Sequence, residues 1–181
     1  YDVPSGAIPQ SGNRNIELVA YMLMAAPKGT AGEALPAELN PVAKQLKAVF
    51  GYNDLRLLDS SLIRTREGVR AEASGNVGIT IPGVTDNTAL YQWRVAKALI
   101  TSTERGNVIK LDGFVFSIRV PYAIGIGQPG QTPTSTQTAY SQIGFNTELD
   151  IREGQKVVVG KNKVDNTGSA FILVLTAKAL D

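Results

Sequence analysis

The chain has 181 residues, with 18 Lys and Arg against 16 Asp and Glu, and contains neither His nor Cys. A chain of this length buries about 70% of its extended surface on folding, so it needs no disulfide or metal to hold a core. Apolar residues make up 43% and charged residues 19%, which excludes a disordered chain. The missing His and Cys exclude Ser-His-Asp and Cys-His catalysis, structural zinc, iron–sulfur clusters and thiol redox chemistry. A net charge of +2 fits poorly with a broadly basic nucleic-acid binder.

Residues Tyr1 to Arg14 are rich in Pro, Gly, Ser and Asn and carry no period, so 1–14 reads as an extended lead-in and 15–181 as a single domain. The start at Tyr1, without Met or an apolar leader, reads as a mature or trimmed product. From Asn15 to Ala25 both alternating faces are apolar, which predicts a central strand covered on two sides. A helix is predicted over 40–50, with Asn40 as cap, Pro41 in the first position and Gly51 past the end; Leu39, Val42, Ala43, Leu46, Val49 and Phe50 form its apolar stripe.

After Gly51 the period changes to two. Leu55 to Arg66 reads as a strand, Glu67-Gly68 as a tight turn, and Val69, Ala71 and Ala73 as the inward face of the hairpin partner. Strands follow at Val77 to Ile81, Thr88 to Ser102 and Val108 to Val120. Pro121 to Thr138 carries Gly, Pro, Ser, Thr and Gln with no apolar period and reads as one long loop, 121–138. Tyr140 to Ile151 alternates cleanly, Glu153-Gly154 turns, Lys156 to Val159 is expected to pair back, and the apolar Ala170 to Ala177 is expected to lie centrally in its sheet. The sum is a mainly β (α+β) protein, an antiparallel two-layer β-sandwich of eight or nine strands with one α-helix; a partly open β-barrel is the alternative.

Motifs that resemble chemistry are weak here. Gly125, Gly127 and Gly130 spell G-x-G-x-x-G, but Pro129 and Pro133 forbid the helix that a dinucleotide site needs, so the three read as an interaction loop. Gly154, Gly160 and Lys161 miss the phosphate-loop spacing by one residue. Glu72, Asp112, Glu148 and Asp150 could serve a carboxylate-only hydrolase if they faced each other, although their alternation with apolar neighbours suits a wet sheet face. Tyr91 and Trp93, with Arg64 and Arg66, are the candidate ligand-binding residues: rings could stack on a sugar or small ligand beside cations. Arg56 and Arg70, with Tyr52, extend that set toward a nucleic-acid platform, but Glu67 and Glu72 lie among them and make ion pairs the commoner explanation.

The segments "ELDIREGQKVVVGK" and "FILVLTAKAL" resemble the closing module of bacterial secretins, outer-membrane pore subunits. The resemblance runs over Gly154, Gln155, Val157, Val158 and Gly160, then Phe171 to Thr176, and "IELVAYMLMA" is similar to the strand that opens that module. No Val-Pro and Leu-Gly rich segment intervenes between hairpin and last strand, and the middle reads as lacking lipid-facing alternating hairpins of the length a barrel pore needs, so the resemblance implies a pore-less relative or an accessory envelope module.

Together these readings predict a non-enzymatic module of the bacterial cell envelope, periplasmic or extracellular, acting by contact with a protein partner, by strand addition at a sheet edge or through the 121–138 loop. No cofactor, metal, nucleic acid or membrane-spanning helix is expected; the longest early apolar stretch, Leu18 to Ala26, falls short of the ~20 residues a spanning helix needs. A small-ligand or carbohydrate-binding domain is the alternative function.

Overall fold

Two antiparallel sheets enclose the main core in a computed structural model that describes residues 14–26, 34–52, 54–78, 88–132, 135–164 and 168–180. The elements in chain order are β1 (Asn15–Ala26), a 3-10 turn (Ala37–Leu39), α1 (Asn40–Phe50), β2 (Asp54–Arg66), β3 (Ala71–Gly78), β4 (Thr88–Val95), β5 (Lys97–Thr103), β6 (Gly106–Ile126), β7 (Ser135–Arg152), β8 (Val157–Lys163) and β9 (Ala170–Leu180). One sheet runs β2-β1-β9-β8. The other runs β3-β4-β6-β5, with β7 on the free flank of β6. The mainly β sandwich of nine strands and one helix is the architecture the alternation predicted, and the two sheets do not close into a barrel. The expected lead-in and the Pro82-Gly83 stop lie outside the described residues.

The pairing explains the all-apolar strands. β1 and β9 are neighbours in the middle of their sheet, and each is covered on both faces. Ile16, Leu18, Ala20, Met22, Phe171, Leu173 and Leu175 meet Trp93, Phe114, Phe116 and Ile118 of the other sheet. On the opposite face Leu23, Ala25, Ile172 and Val174 pack under Val42, Ala43 and Leu46 of α1. Each such buried aliphatic stabilises the fold by about 2 kcal/mol, which explains why these two strands lack the polar alternation of their neighbours. Phe116, Phe145 and Phe171 stack at 5.6–6.4 Å between centroids and tie the sheets together.

α1 has the predicted span, with Pro41 in its first turn and Gly51 in the left-handed region at its end (φ 70°). Asn40 is not the cap. The helix grows out of the 3-10 turn, Leu39 occupies the cap position, and no side chain bonds the first amides.

The two Glu-Gly turns depart from expectation in the same way. β2 and β3 do not pair, nor do β7 and β8; in each case the turn carries the chain from one sheet to the other. Both corners read Arg-Glu-Gly: Arg66-Glu67-Gly68 and Arg152-Glu153-Gly154. At the first, the Glu67 amide donates to the Arg14 carbonyl beside β1 and the Gly68 amide donates to Ala98 of β5. The Ile100 amide then donates to the Glu67 carboxylate at 2.7 Å. At the second, the Glu153 amide donates to Asn107 of β6, the Gly154 amide donates to Ala177 of β9, and the Ala179 amide donates to the Glu153 carboxylate at 3.1 Å. Each glutamate thus extends the ladder being left, each glycine extends the ladder being entered, and the carboxylate grips an amide two residues along the new neighbour. Gly68 and Gly154 sit at φ 76° and 80°, where a Cβ is strained.

β4 and β5 are one long strand interrupted at Ala96, since their pairing with β6 keeps one register from Leu90↔Arg119 to Thr103↔Gly106. The expected 121–138 loop is mostly strand: β6 continues to Ile126, β7 begins at Ser135, and Pro121↔Tyr140 through Ile126↔Ser135 are paired. With 21 and 18 residues, β6 and β7 far exceed the ~10 residues of a barrel strand, so a hairpin of that length is present in the middle of the chain. No helix among the described residues is long and apolar enough to cross a membrane.

Candidate functional site

Among the described residues the β4–β6 ladder ends at Leu90↔Arg119, and from Pro121 onward β6 and β7 pair with each other as a two-stranded ribbon. Side chains alternate across such a ribbon. One face carries Tyr122, Ile124 and Ile126 opposite Ala139, Gln137 and Ser135; the other carries Pro121 and Ala123 opposite Tyr140 and Thr138. Ile124 and Ile126 are 43% and 46% exposed. At the ribbon's root the Arg119 guanidinium lies 4.1 Å from the centre of the Tyr140 ring, beside exposed Leu90. Gly125, Gly127 and Gly130 all fall at the tip, where Gln131 donates its amide to the Gln128 carbonyl and Gly130 takes φ 83°. They shape a turn and do not converge on an anion site.

The sequence offered a signal for this ribbon that glycine obscured. Tyr122, Ile124 and Ile126 alternate with Ala123 and Gly125, and the facing segment is rich in β-branched Thr. Exposed glycines and threonines hid a strand that is apolar on one face only.

At the opposite end, by the first corner, an open groove of about 860 Å³ is lined by Arg64, Arg66 and Arg70, with Ile63, Val69 and Leu180 between them. Arg64 pairs with Glu17 at 2.9 Å, and Arg70 reaches Glu72 at 3.3 Å. Arg66 is exposed and forms no ion pair among the described residues.

Tyr91 and Trp93 do not join these cations. Trp93 is 1% exposed and faces the core, where its Nε1 donates to Ser61 Oγ of β2 at 2.9 Å. It links the two sheets and presents no stacking face to solvent. The Tyr91 ring covers Gly75, whose site has no room for a Cβ beside the phenol. Arg64 and Arg66 point outward on the other sheet, so the four candidate ligand residues form no common cleft.

Of the four candidate carboxylates, Glu72 and Asp112 sit beside cations, and Glu148 and Asp150 alternate on the exposed face of β7. Asp150 lies directly across from Lys110, Asp112 approaches Lys97 and Lys110 at 4.0 Å, and Glu72 pairs with Arg70. Among the described residues no cluster of acids could hold a metal ion. The Tyr21 hydroxyl donates to Glu38 at 3.0 Å; burial, then the bond and the charge of Glu38, push its pKa up to about 12.

No protein-family model matches the sequence, and no curated protein matches it. Among solved structures, the chain is similar to the type IV competence pilus secretin PilQ of V. cholerae, with 11% identity and a TM-score of 0.47 over 97% of this chain and 62% of that one. It is also similar to the type II secretin GspD from enteropathogenic Escherichia coli, with 11% identity and a TM-score of 0.40 over 96% and 70%. A chain of the Klebsiella pneumoniae type II secretion system outer membrane complex gives 12% identity and a TM-score of 0.38 over 96% and 41%. The chain spans about three fifths of the PilQ chain's length. At these low identities the three similarities cover 96–97% of this chain.

Proposed function

We propose that this chain is a non-enzymatic β-module of the bacterial cell envelope, periplasmic or extracellular, that works by protein–protein contact through the β6–β7 ribbon. The carrying observation is the ribbon itself: two strands that leave the sandwich with Ile124 and Ile126 half-exposed on one face. An isolated two-stranded ribbon is marginal in water and gains stability from a third strand or an apolar surface. β7 pairs only with β6 and keeps its other flank open along the described residues, which suits strand addition. The lack of His and Cys and the pairing of Glu72 and Asp112 with cations favour a binding role over catalysis. The envelope setting is that of the secretin assemblies the chain resembles.

Photo-crosslinkers placed at Ile124 and Ile126 in the producing cell test this reading, with Asn76 on the wet face of β3 as the control. Protein adducts at the two ribbon positions and none at Asn76 are expected, together with loss of self-association or partner binding in light scattering when both isoleucines become Ser. A strictly monomeric protein recovered from cytosol, without adducts at the ribbon, would overturn it.

A further inference from the structure

The molecule has a second open side, independent of the ribbon. β2 pairs only with β1, and β3 pairs only with β4, so among the described strands each leaves one flank of its backbone without a ladder partner. The Glu67 corner joins these two edge strands, and the groove described above opens beside it. We propose that this groove is a docking site for an acidic peptide bound in extended form.

Charge complementarity selects the occupant. Among the described residues Arg64, Arg66 and Arg70 line the groove against one lining carboxylate, Glu72, with Glu17 paired to Arg64 beside it, which leaves an excess of positive charge. Arg94, across the ladder from Glu72, adds a fourth cation next to Arg70. The Glu67 carboxylate does not line the groove; it is buried and accepts the Ile100 amide. Arg64 and Arg70 already engage Glu17 and Glu72, which shows that both guanidinium groups reach carboxylate partners from this surface. Arg66 stands ready for one.

The floor favours a peptide over a nucleic acid. Ile63, Val69 and Leu180 supply apolar surface beside the arginines, and among the described residues no aromatic ring lines the groove for bases to stack on. An extended peptide with acidic side chains alternating with aliphatic ones presents carboxylates to the arginines and methyl groups to the floor, while its backbone adds to an edge strand.

The test uses the full chain and fluorescence anisotropy with a labelled ten-residue peptide alternating Glu and Val. Saturable binding is expected, weakened by salt, and stronger than that of the same peptide with Gln for Glu. The double variant Arg66→Gln/Arg70→Gln should bind about tenfold more weakly, whereas Arg105→Gln, in a distant exposed turn, should bind as the parent does. The Ile124→Ser/Ile126→Ser ribbon variant should also bind as the parent, so failure here and failure of the ribbon reading are told apart. Equal binding of the Gln peptide, an unchanged double variant, or an equal loss in Arg105→Gln would overturn the proposal. Tighter binding of oligothymidylate or of phosphatidylglycerol vesicles, lost in the double variant, would reassign the groove to a polyanion or a lipid surface and overturn it equally.

Discussion

The corners at Glu67 and Glu153 share a tripeptide, a left-handed glycine and a carboxylate that grips an amide of the newly entered sheet, yet their surroundings differ. At Glu153 the next residue folds back: Gln155 accepts the Arg152 amide through its side chain, and Asn107 donates to the second carboxylate oxygen at 2.9 Å. At Glu67 the equivalent residues, Val69 and Arg70, stay exposed and border the groove. Backbone geometry is set by the shared glutamate and glycine, whereas the surface is set by the next two side chains. The second corner adds side-chain bonds from Gln155 and Asn107, whereas at the first the carboxylate is more deeply buried and the side chains after it border the groove.

The strands that leave the corners give the largest contrast. Each carries a glycine under an aromatic ring: Gly75 of β3 under Tyr91, and Gly160 of β8 under Phe145. Phe145 is held in the three-ring stack, while the nearest Tyr91 atom is its terminal hydroxyl. Gly160→Ala should therefore cost about 3 kcal/mol and Gly75→Ala about 1 kcal/mol, read as shifts in urea midpoint. Equal losses would show that the two sides are packed alike.

Removing the carboxylates should separate the corners next. Glu67→Ala leaves the Ile100 amide without its acceptor in a buried setting and should cost about 2–3 kcal/mol. Glu153 is half-buried, and water can replace part of its role, so Glu153→Ala should cost about 1–2 kcal/mol by the same measurement. A larger loss at Glu153 would reverse the assignment of the better-enclosed corner.

Substituting the glycines should erase the contrast. Nothing lies within 4 Å of a Cβ built on Gly68 or Gly154, so the penalty of Gly68→Ala and Gly154→Ala is conformational, about 1 kcal/mol each and equal in thermal melts.

The smallest effect lies away from both corners. Tyr21 ionises at pH 10 when unfolded and near 12 when folded, so its contribution is present in full below pH 10 and is lost as the pH rises toward 12. Stability measured between pH 10 and 12 should fall more steeply in the parent than in Tyr21→Phe. Parallel curves would show that the Glu38 bond does not hold the proton.

Much of this was legible in the residues. Two-faced apolar runs at Asn15 to Ala25 and Ala170 to Ala177 announced central strands because both sides had to leave water. The stripe from Val42 to Leu46, with Pro41 and Gly51 at its ends, announced the helix. The candidate site was less legible. Trp93 and Arg64 fall on alternating strand positions that look alike until the sheets assign one parity to the core and the other to solvent. The ribbon at 121–126 and 135–140 was masked by Gly and Thr, which carry weak strand signals and become strand when a partner supplies the ladder.

Period, turn chemistry and hydrophobic pattern thus determined which stretches extend, which coil and which must be buried, because those properties depend on neighbours a few residues away. The folded molecule alone decided that the two Arg-Glu-Gly turns change sheets instead of closing hairpins, since a tight turn carries the same residues in either case. The difference lies in amides of Ile100 and Ala179, distant along the chain, that reach the two carboxylates only once both sheets are in place.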